Sequence, residues 1–522
     1  MYNFFREAKI ARYRNTDKYQ NNVFLPIKLS EQIVDGTLSA TIQYMIDQKI
    51  DMSSFEQYAK NDKTGRPAYN PRVLLKLILF AYSNGIISSR RIALFSQENV
   101  VAMALCENET PDFTIIASFI SSHGEDIKKV FINILLVADE MNLLGNTTFA
   151  LDGCKLPSNA SKEQSGTFKD LLKKKHTLEQ KIQKIVEIHT VQDEKEQDKH
   201  DTEIYTTLPE KKQKAINKMN QKIQKIDTFL SNNEPKIGKR KKESQSNITD
   251  NESSKMKTGH GVIQGYNGQA MVDEKHQLIV AAQAFGKGQD HSLLEPMLDE
   301  TAHTMASLGK GDSFIEGKTF IADTGYFSVE NLEVVQQKKI NAYIPDQNFR
   351  KRDIRFENKR RHVPNSDKKI FRDQFVFDKD KDVVICPAGQ ILLPSRGAIR
   401  KLSHYSYKTY HTTKAICDAC LLRGKCLKSE KSRWRNYQVL VADDKPDVIR
   451  NMIDKIDSRE GRDIYTKRMG IVEPVFANIR THKRLDKFTL RSQSKVTIQW
   501  LLFCIVHNLS KITNYGMKFA LI

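Results

Sequence analysis

No stretch of the 522-residue chain holds the roughly 18 consecutive apolar residues of a membrane-spanning helix. The longest apolar stretches, Leu74–Tyr82 and Trp500–Val506, have the length of buried helices. The N-terminus, MYNFFREAKIARYRNTDKYQ, carries basic residues but lacks an apolar segment, which argues against a signal peptide and for a cytoplasmic location. Cysteine is sparse. Seven residues in a reducing compartment argue against disulfides, and a cluster of them suggests a metal. Hydrophobic residues reach only 39%, which is low for one compact globule, so several modest cores with charge-rich insertions are expected. Acidic side chains fall short as well: 63 against 83 basic ones leaves a net charge of +20, which calls for a polyanionic partner.

The first 145 residues read as helical. Asn70-Pro71 is a helix start, and Val73, Leu74, Leu77, Ile78 and Ala81 recur at helical spacing up to Asn84-Gly85. Ser88-Ser89 opens a second helix with Arg90, Arg91, Ile92 and Phe95. Helix, glycine turn, helix fits either a DNA-binding helix-turn-helix or a packed bundle. A further helix spans about Asp126 to Leu144, and Thr147–Leu151 then reads as a strand that ends at Asp152-Gly153. Residues 165–242 interrupt the pattern. Phe168, Leu171, Lys175, Leu178, Ile182, Ile185 and His189 fall at heptad-like spacing, as do Ile216, Met219, Ile223, Ile226 and Leu230. They predict an antiparallel helical hairpin with a polar tip at Gln192–Thr202 and a basic run at Lys236–Lys242.

Strand patterning resumes as a hairpin, Tyr266–Val272 and Leu278–Phe285. A helix at Ser292–Leu308, a strand at Thr319–Asp323, a helix at Val329–Lys338 and a strand at Asn341–Ile344 follow. Without the hairpin insertion the order is β-β-β-α-β-α-β, the order of an RNase H-like mixed-sheet α/β core. A second insertion covers 346–454. The chain returns with a helix predicted to start at Glu473-Pro474 and a last helix over Val496–Leu509. The domains read as a helical region 1–145, a core from 146–164, 243–345 and 455–522, and insertions at 165–242 and 346–454.

In such a sheet the ends of the first and fourth strands are neighbours, which sets Asp152 beside Asp323. Glu473 is the candidate third carboxylate. Any one of these acids alone could be a turn or cap residue; the combination carries the reading. Three carboxylates suit Mg²⁺ or Mn²⁺, and two such ions about 4 Å apart clamp the attacking and leaving oxygens of a phosphoryl displacement.

Several stretches carry a resemblance: Asn70–Phe80, Ser88-Ser89-Arg90, Pro111–Thr114, Leu151–Lys155, Asn159-Ala160-Ser161, Gly265-Tyr266-Asn267, Ala322–Tyr326 and Tyr465–Lys483. Together they resemble the DDE transposases of bacterial insertion sequences, in particular the IS-eleven-eighty-two group, from about Leu25 to about Leu509. The resemblance implies that Asp152, Asp323 and Glu473 form a Mg²⁺-dependent DDE triad. It implies N-terminal helices that bind element ends, a dimer on paired ends of double-stranded DNA, and a bacterial, nucleoid-associated protein. Related enzymes carry Tyr-x2-Arg-x3-Glu-x6-Lys. Here Tyr465 and Arg468 fit, four residues separate Arg468 from Glu473, and Arg480 stands at the last position with Lys483 nearby. On one continuous helix the extra residue would turn Arg468 by about 100°, so Tyr465 and Arg468 are expected to precede the helix. All four are candidate DNA contacts. A nuclease that cuts without joining, and a DNA-binding relic without catalysis, stand as alternatives.

The second insertion is the most basic segment. Arg350, Lys351, Arg352, Arg355, Lys359, Arg360 and Arg361 are seven basic residues in twelve positions, with Phe349 and Phe356 interleaved. That suits phosphates with occasional stacking, or a solvated loop. Cys386, Cys417, Cys420 and Cys426, spaced C-x30-C-x2-C-x5-C, could form a structural Zn²⁺ site or remain reduced thiols. Trp434, between Arg433 and Arg435, is a candidate for stacking on a flipped base, or an ordinary packed ring.

Overall fold

The computed structural model describes residues 28–56, 68–197, 210–238, 242–352, 370, 374–402, 405–427, 429, 431–440 and 447–516. The middle of the basic run at Lys236–Lys242, the polar tip from residue 198 on, and the basic cluster from residue 353 on, with Arg355, Phe356, Lys359, Arg360 and Arg361, lie outside them. Among the described residues no helix is long and apolar enough to cross a membrane.

Helix α1 (Pro71–Ser83) starts where Asn70 accepts the Arg72 N–H at 3.0 Å and Pro71 occupies the first turn. It is buried along most of its length, so it is a core helix. Gly85, at φ +73°, makes the turn to α2 (Ser89–Glu98), and a side chain there would collide with Arg484. In α2, Ile92 and Ala93 face inward, while Arg90 lies over the Phe113 ring at 4.9 Å. Helix α3 (Gly124–Glu140) leads to the sheet.

A six-stranded mixed sheet forms the centre. Its strands are β1 (Thr148–Pro157), β2 (Ser254–Thr258), β3 (Gly261–Asp273), β4 (Ile279–Phe285), β5 (Thr319–Ala322) and β6 (Asn341–Tyr343). β1 pairs antiparallel with β3 on one side and parallel with β5 on the other, and β5 pairs parallel with β6. Both β2 and β4 pair with β3; β2 is a strand beyond the five that the sequence pattern predicts. β1 also runs past Asp152, which sits mid-strand and not at a strand end.

Two long helices, α4 (Phe168–Gln197) and α5 (Glu210–Asn232), leave the sheet between β1 and β2. They pack through Leu171 against Ile226 and Phe229, with Lys175 bonded to Asp227 at 2.7 Å. α6 (Leu294–Ser307) and α7 (Val329–Gln337) connect β4, β5 and β6. A second, antiparallel sheet follows: β7 (Val376–Asp378), β8 (Val383–Ile385), β9 (Ile391–Leu402), β10 (Tyr405–His411) and β11 (Tyr437–Leu440). Among the described residues its buried cluster is Phe375, Val384, Leu392 and Tyr410.

α8 (Arg459–Ala477) then lies on the central sheet. It corrects an expectation: Glu473-Pro474 does not begin the helix, and Tyr465 and Arg468 lie inside it. Pro474 cannot donate to Gly470, four residues back. That carbonyl is satisfied from outside, by the Gln277 side-chain amide at 2.8 Å. α9 (Gln493–Tyr515) closes the core against α3 and β4. Its Asn508 side chain both accepts from and donates to the backbone of Ile279, each at 2.9 Å.

Candidate active site

The pairing of β1 with β5 sets Leu151 opposite Ala322, so the next residues, Asp152 and Asp323, emerge side by side. Asp323 caps the short turn Thr324–Tyr326, and its Oδ1 accepts the Gly325 N–H at 2.7 Å. A side chain at Gly325 would stand 2.9 Å from that oxygen. Asp152 accepts its neighbour's N–H, from Gly153, at 2.8 Å. Gly153 itself lies under the Gln269 amide, where an added Cβ would come within 2.0 Å of Nε2. A side chain there would force the Gln269 and Asn267 amides to move.

From α8, Arg468 reaches across and donates to Asp152 Oδ2 at 2.8 Å. Burial raises the Asp152 carboxyl above its usual range, Arg468 and the Gly153 N–H oppose this, and Asp290 adds to the rise. Asp323 is raised by burial first, then by the charge of Asp152, against the pull of Gly325 and Arg468. Two desolvated, mutually repelling carboxylates are a common mark of a functional site.

A third carboxylate stands next to this pair, and the sequence reading does not single it out. Asp290 accepts from Asn267 at 2.6 Å and from Gln269 at 3.3 Å, and pairs with Lys155 at 3.4 Å. Gln269 in turn accepts the hydroxyl of the buried Tyr326 and, through its carbonyl, the Trp500 indole N–H at 2.8 Å. The network ties β3, β5 and α9 to one side of the pair. The Asn267 side-chain oxygen is buried with no hydrogen-bond partner among the described residues.

The remaining candidates separate. Glu473 is exposed on α8, with no hydrogen-bond or ion-pair partner among the described residues. Five residues past Arg468 it faces about 140° away around the helix, so the structure aims Arg468 and not Glu473 at Asp152. Among the described residues no three His, Cys, Asp or Glu side chains are close enough together to hold a metal. The adjacent carboxylates of Asp152 and Asp323 are nevertheless hard-oxygen donors of the kind that suits a divalent cation. Tyr465 is half-buried, edge-on to Phe349 at 5.3 Å. Arg480 is exposed and lines an open cleft of about 570 Å³ with Phe476, Thr481, Arg484 and Asp486. Lys483 departs from the expectation of a DNA contact: it is buried, donates to Ser510 at 3.0 Å, and burial lowers its pKa to about 8. Arg352 is committed to ion pairs with Asp346 and Asp457, while Arg350 is exposed. Trp434 stacks on His411 with ring centroids 4.6 Å apart. All seven cysteines are free thiols, and Cys386, Cys417, Cys420 and Cys426 line one cavity in the second sheet domain.

A family model described as a transposase DDE domain matches residues 385–513, and a second, described as a transposase domain (DUF772), matches residues 28–122. The first takes in the four clustered cysteines, Tyr465, Arg468 and Glu473; neither includes Asp152 or Asp323. No curated protein and no solved structure matches the chain.

Proposed function

We propose, from the premise that both matched family models indicate a DDE transposase of insertion-sequence type, that this chain cuts the ends of its own mobile element and joins them to target DNA. The observation that carries the reading is the pair Asp152 and Asp323, abreast on neighbouring parallel strands beneath a helix that bears Arg468 and Glu473. DDE transposases generally use divalent metal ions. Asp152 and Asp323 would hold Mg²⁺ or Mn²⁺, with Glu473 the proposed third carboxylate, and the ion would supply Lewis-acid activation of a hydroxyl and charge neutralisation at the phosphate.

The chain's own residues do the rest. Gly325 and Gly153 fix the directions of the two aspartates. The Asp290–Asn267–Gln269–Tyr326 network holds the floor beneath them. Arg468 neutralises Asp152 from α8. Arg480, exposed in its cleft, is suited to a backbone phosphate. The excess of 20 positive charges favours double-stranded DNA as the partner, and two chains are proposed to bind paired ends.

The test is strand transfer on DNA that carries the flanking ends, with Mg²⁺, comparing the natural chain with Asp323→Ala. Joined products that vanish in the variant support the reading. Cleavage without joining would favour a nuclease, and binding without either would favour an inactive DNA-binding relic.

A further inference from the structure

The second sheet domain is poorly supplied with core. Among the described residues, five strands are gathered around four buried apolar side chains, Phe375, Val384, Leu392 and Tyr410, with partly buried neighbours that include Cys386 and Cys426. Units with so little apolar interior are commonly stapled by disulfides or a metal. No disulfide is present; four of the seven free thiols lie in this one domain.

Those thiols come from three separate pieces of chain and converge. Cys386 opens the turn after β8, where the Gly389 N–H returns to the Cys386 carbonyl at 2.8 Å and the Cys386 N–H bonds the Gln390 carbonyl at 2.9 Å. Gly389 has φ +72°, a conformation that favours glycine. Cys417 and Cys420 sit one turn apart, the Cys420 N–H donating to the Cys417 carbonyl at 3.3 Å. Cys426 ends the short helix Arg423–Cys426. All four line one cavity of about 40 Å³ whose other walls are mostly apolar. The space admits one small occupant: a single water needs only about 10–15 Å³ of such volume. Two cations border it. Arg435 donates to the carbonyls of Cys426 and Ile370 at 3.0 and 2.8 Å, and Arg423 pairs with Asp418 at 2.8 Å.

We propose that Cys386, Cys417, Cys420 and Cys426 bind one structural Zn²⁺ that staples the β7–β11 domain. Four sulfur ligands with a CxxC pair satisfy the tetrahedral preference of zinc and leave no open position, so the ion has no part in the chemistry at Asp152 and Asp323. Each thiol gives up its proton on binding. The resulting tetrathiolate complex is doubly negative, and Arg435 and Arg423 border it on the protein side. The four cysteines line one cavity but are not drawn together as a metal-binding group, so binding would require their side chains to converge on the ion. Thr412, next to His411, and Arg435, next to Trp434, also line the cavity. The staple therefore anchors the segments that stack Trp434 on His411. This inference is independent of the transposase reading.

The experiment uses the full-length chain. Zinc is measured by mass spectrometry after purification, and the chelator-stripped protein is titrated with Co²⁺. One zinc per chain is expected, together with sulfur-to-cobalt charge transfer and the intense visible bands of tetrahedral cobalt. Both should disappear in Cys417→Ser/Cys420→Ser and persist in Cys106→Ala, whose thiol is buried far away in sequence in the helical region. Absence of zinc and of the charge-transfer band in the natural chain overturns the proposal without recourse to any variant. So does a Cys417–Cys420 disulfide in the purified protein, or an unchanged zinc content in a folded double variant.

Discussion

At the residue scale, two positions turn geometry into measurable consequences. Gly153 has no room for a side chain, because a Cβ would meet the Gln269 amide at 2.0 Å and the Asn267 oxygen at 2.7 Å. Gly153→Ala should therefore destabilise by about 1–3 kcal/mol, read as a lower urea midpoint with an unchanged slope, and should also disturb Asp152. A midpoint equal to that of the natural chain would show that the floor of the site yields freely. His507 is buried in α9, with Nε2 on the Gln277 carbonyl at 2.9 Å. Burial lowers its pKa from 6.5 to about 3, against the pull of that carbonyl. A lowered pKa means that the fold holds the neutral ring. Its contribution to stability is complete above pH 6.5 and is lost as pH falls from there toward 3. His507→Gln, which cannot titrate, should flatten the loss of stability across that window; an equally steep loss would assign it to other groups.

At the element scale, α8 shows how a helix accepts an internal proline. Pro474 leaves the Gly470 carbonyl without its helical donor, and Gln277, from the turn between β3 and β4, supplies one. Gln277 is partly exposed, so water can replace it in part. Gln277→Ala should cost about 1 kcal/mol, measured as a fall in thermal midpoint, and it should loosen the seat of the helix that carries Arg468 and Glu473. No change in midpoint would mean that solvent already satisfies the carbonyl. The same helix shows why its start is hard to read from sequence. A Glu-Pro pair obeys the rule for a helix start, and the compensating donor lies 193 residues away in sequence. Lys483 is obscured in a related way: a lysine among basic residues reads as solvent-facing, yet packing buries it against Ser510.

At the scale of the whole molecule, five of the six central strands and the adjacency of Asp152 and Asp323 are legible in the sequence from short apolar runs, whereas β2 and the continuation of β1 past Asp152 are not. The support around the pair is not legible either. Asp290, Asn267, Gln269 and Tyr326 meet only through the register of β1, β3 and β5, and no spacing in the sequence announces a contact across that distance. The identity of the third carboxylate follows the same division. Sequence points to Glu473, whereas the fold places Asp290 beside the pair, already engaged by Lys155, Asn267 and Gln269. The most direct measurement is single-turnover cleavage of element-end DNA in Mg²⁺ by Asp152→Asn, Asp323→Asn, Glu473→Gln and Asp290→Asn. Loss of a ligand or a base in such a site is expected to cost on the order of a hundredfold or more in rate. The first three variants are expected to fall by at least that much, while Asp290→Asn, in a supporting position, falls less. Full activity in Glu473→Gln, with Asp290→Asn inactive, would contradict this assignment.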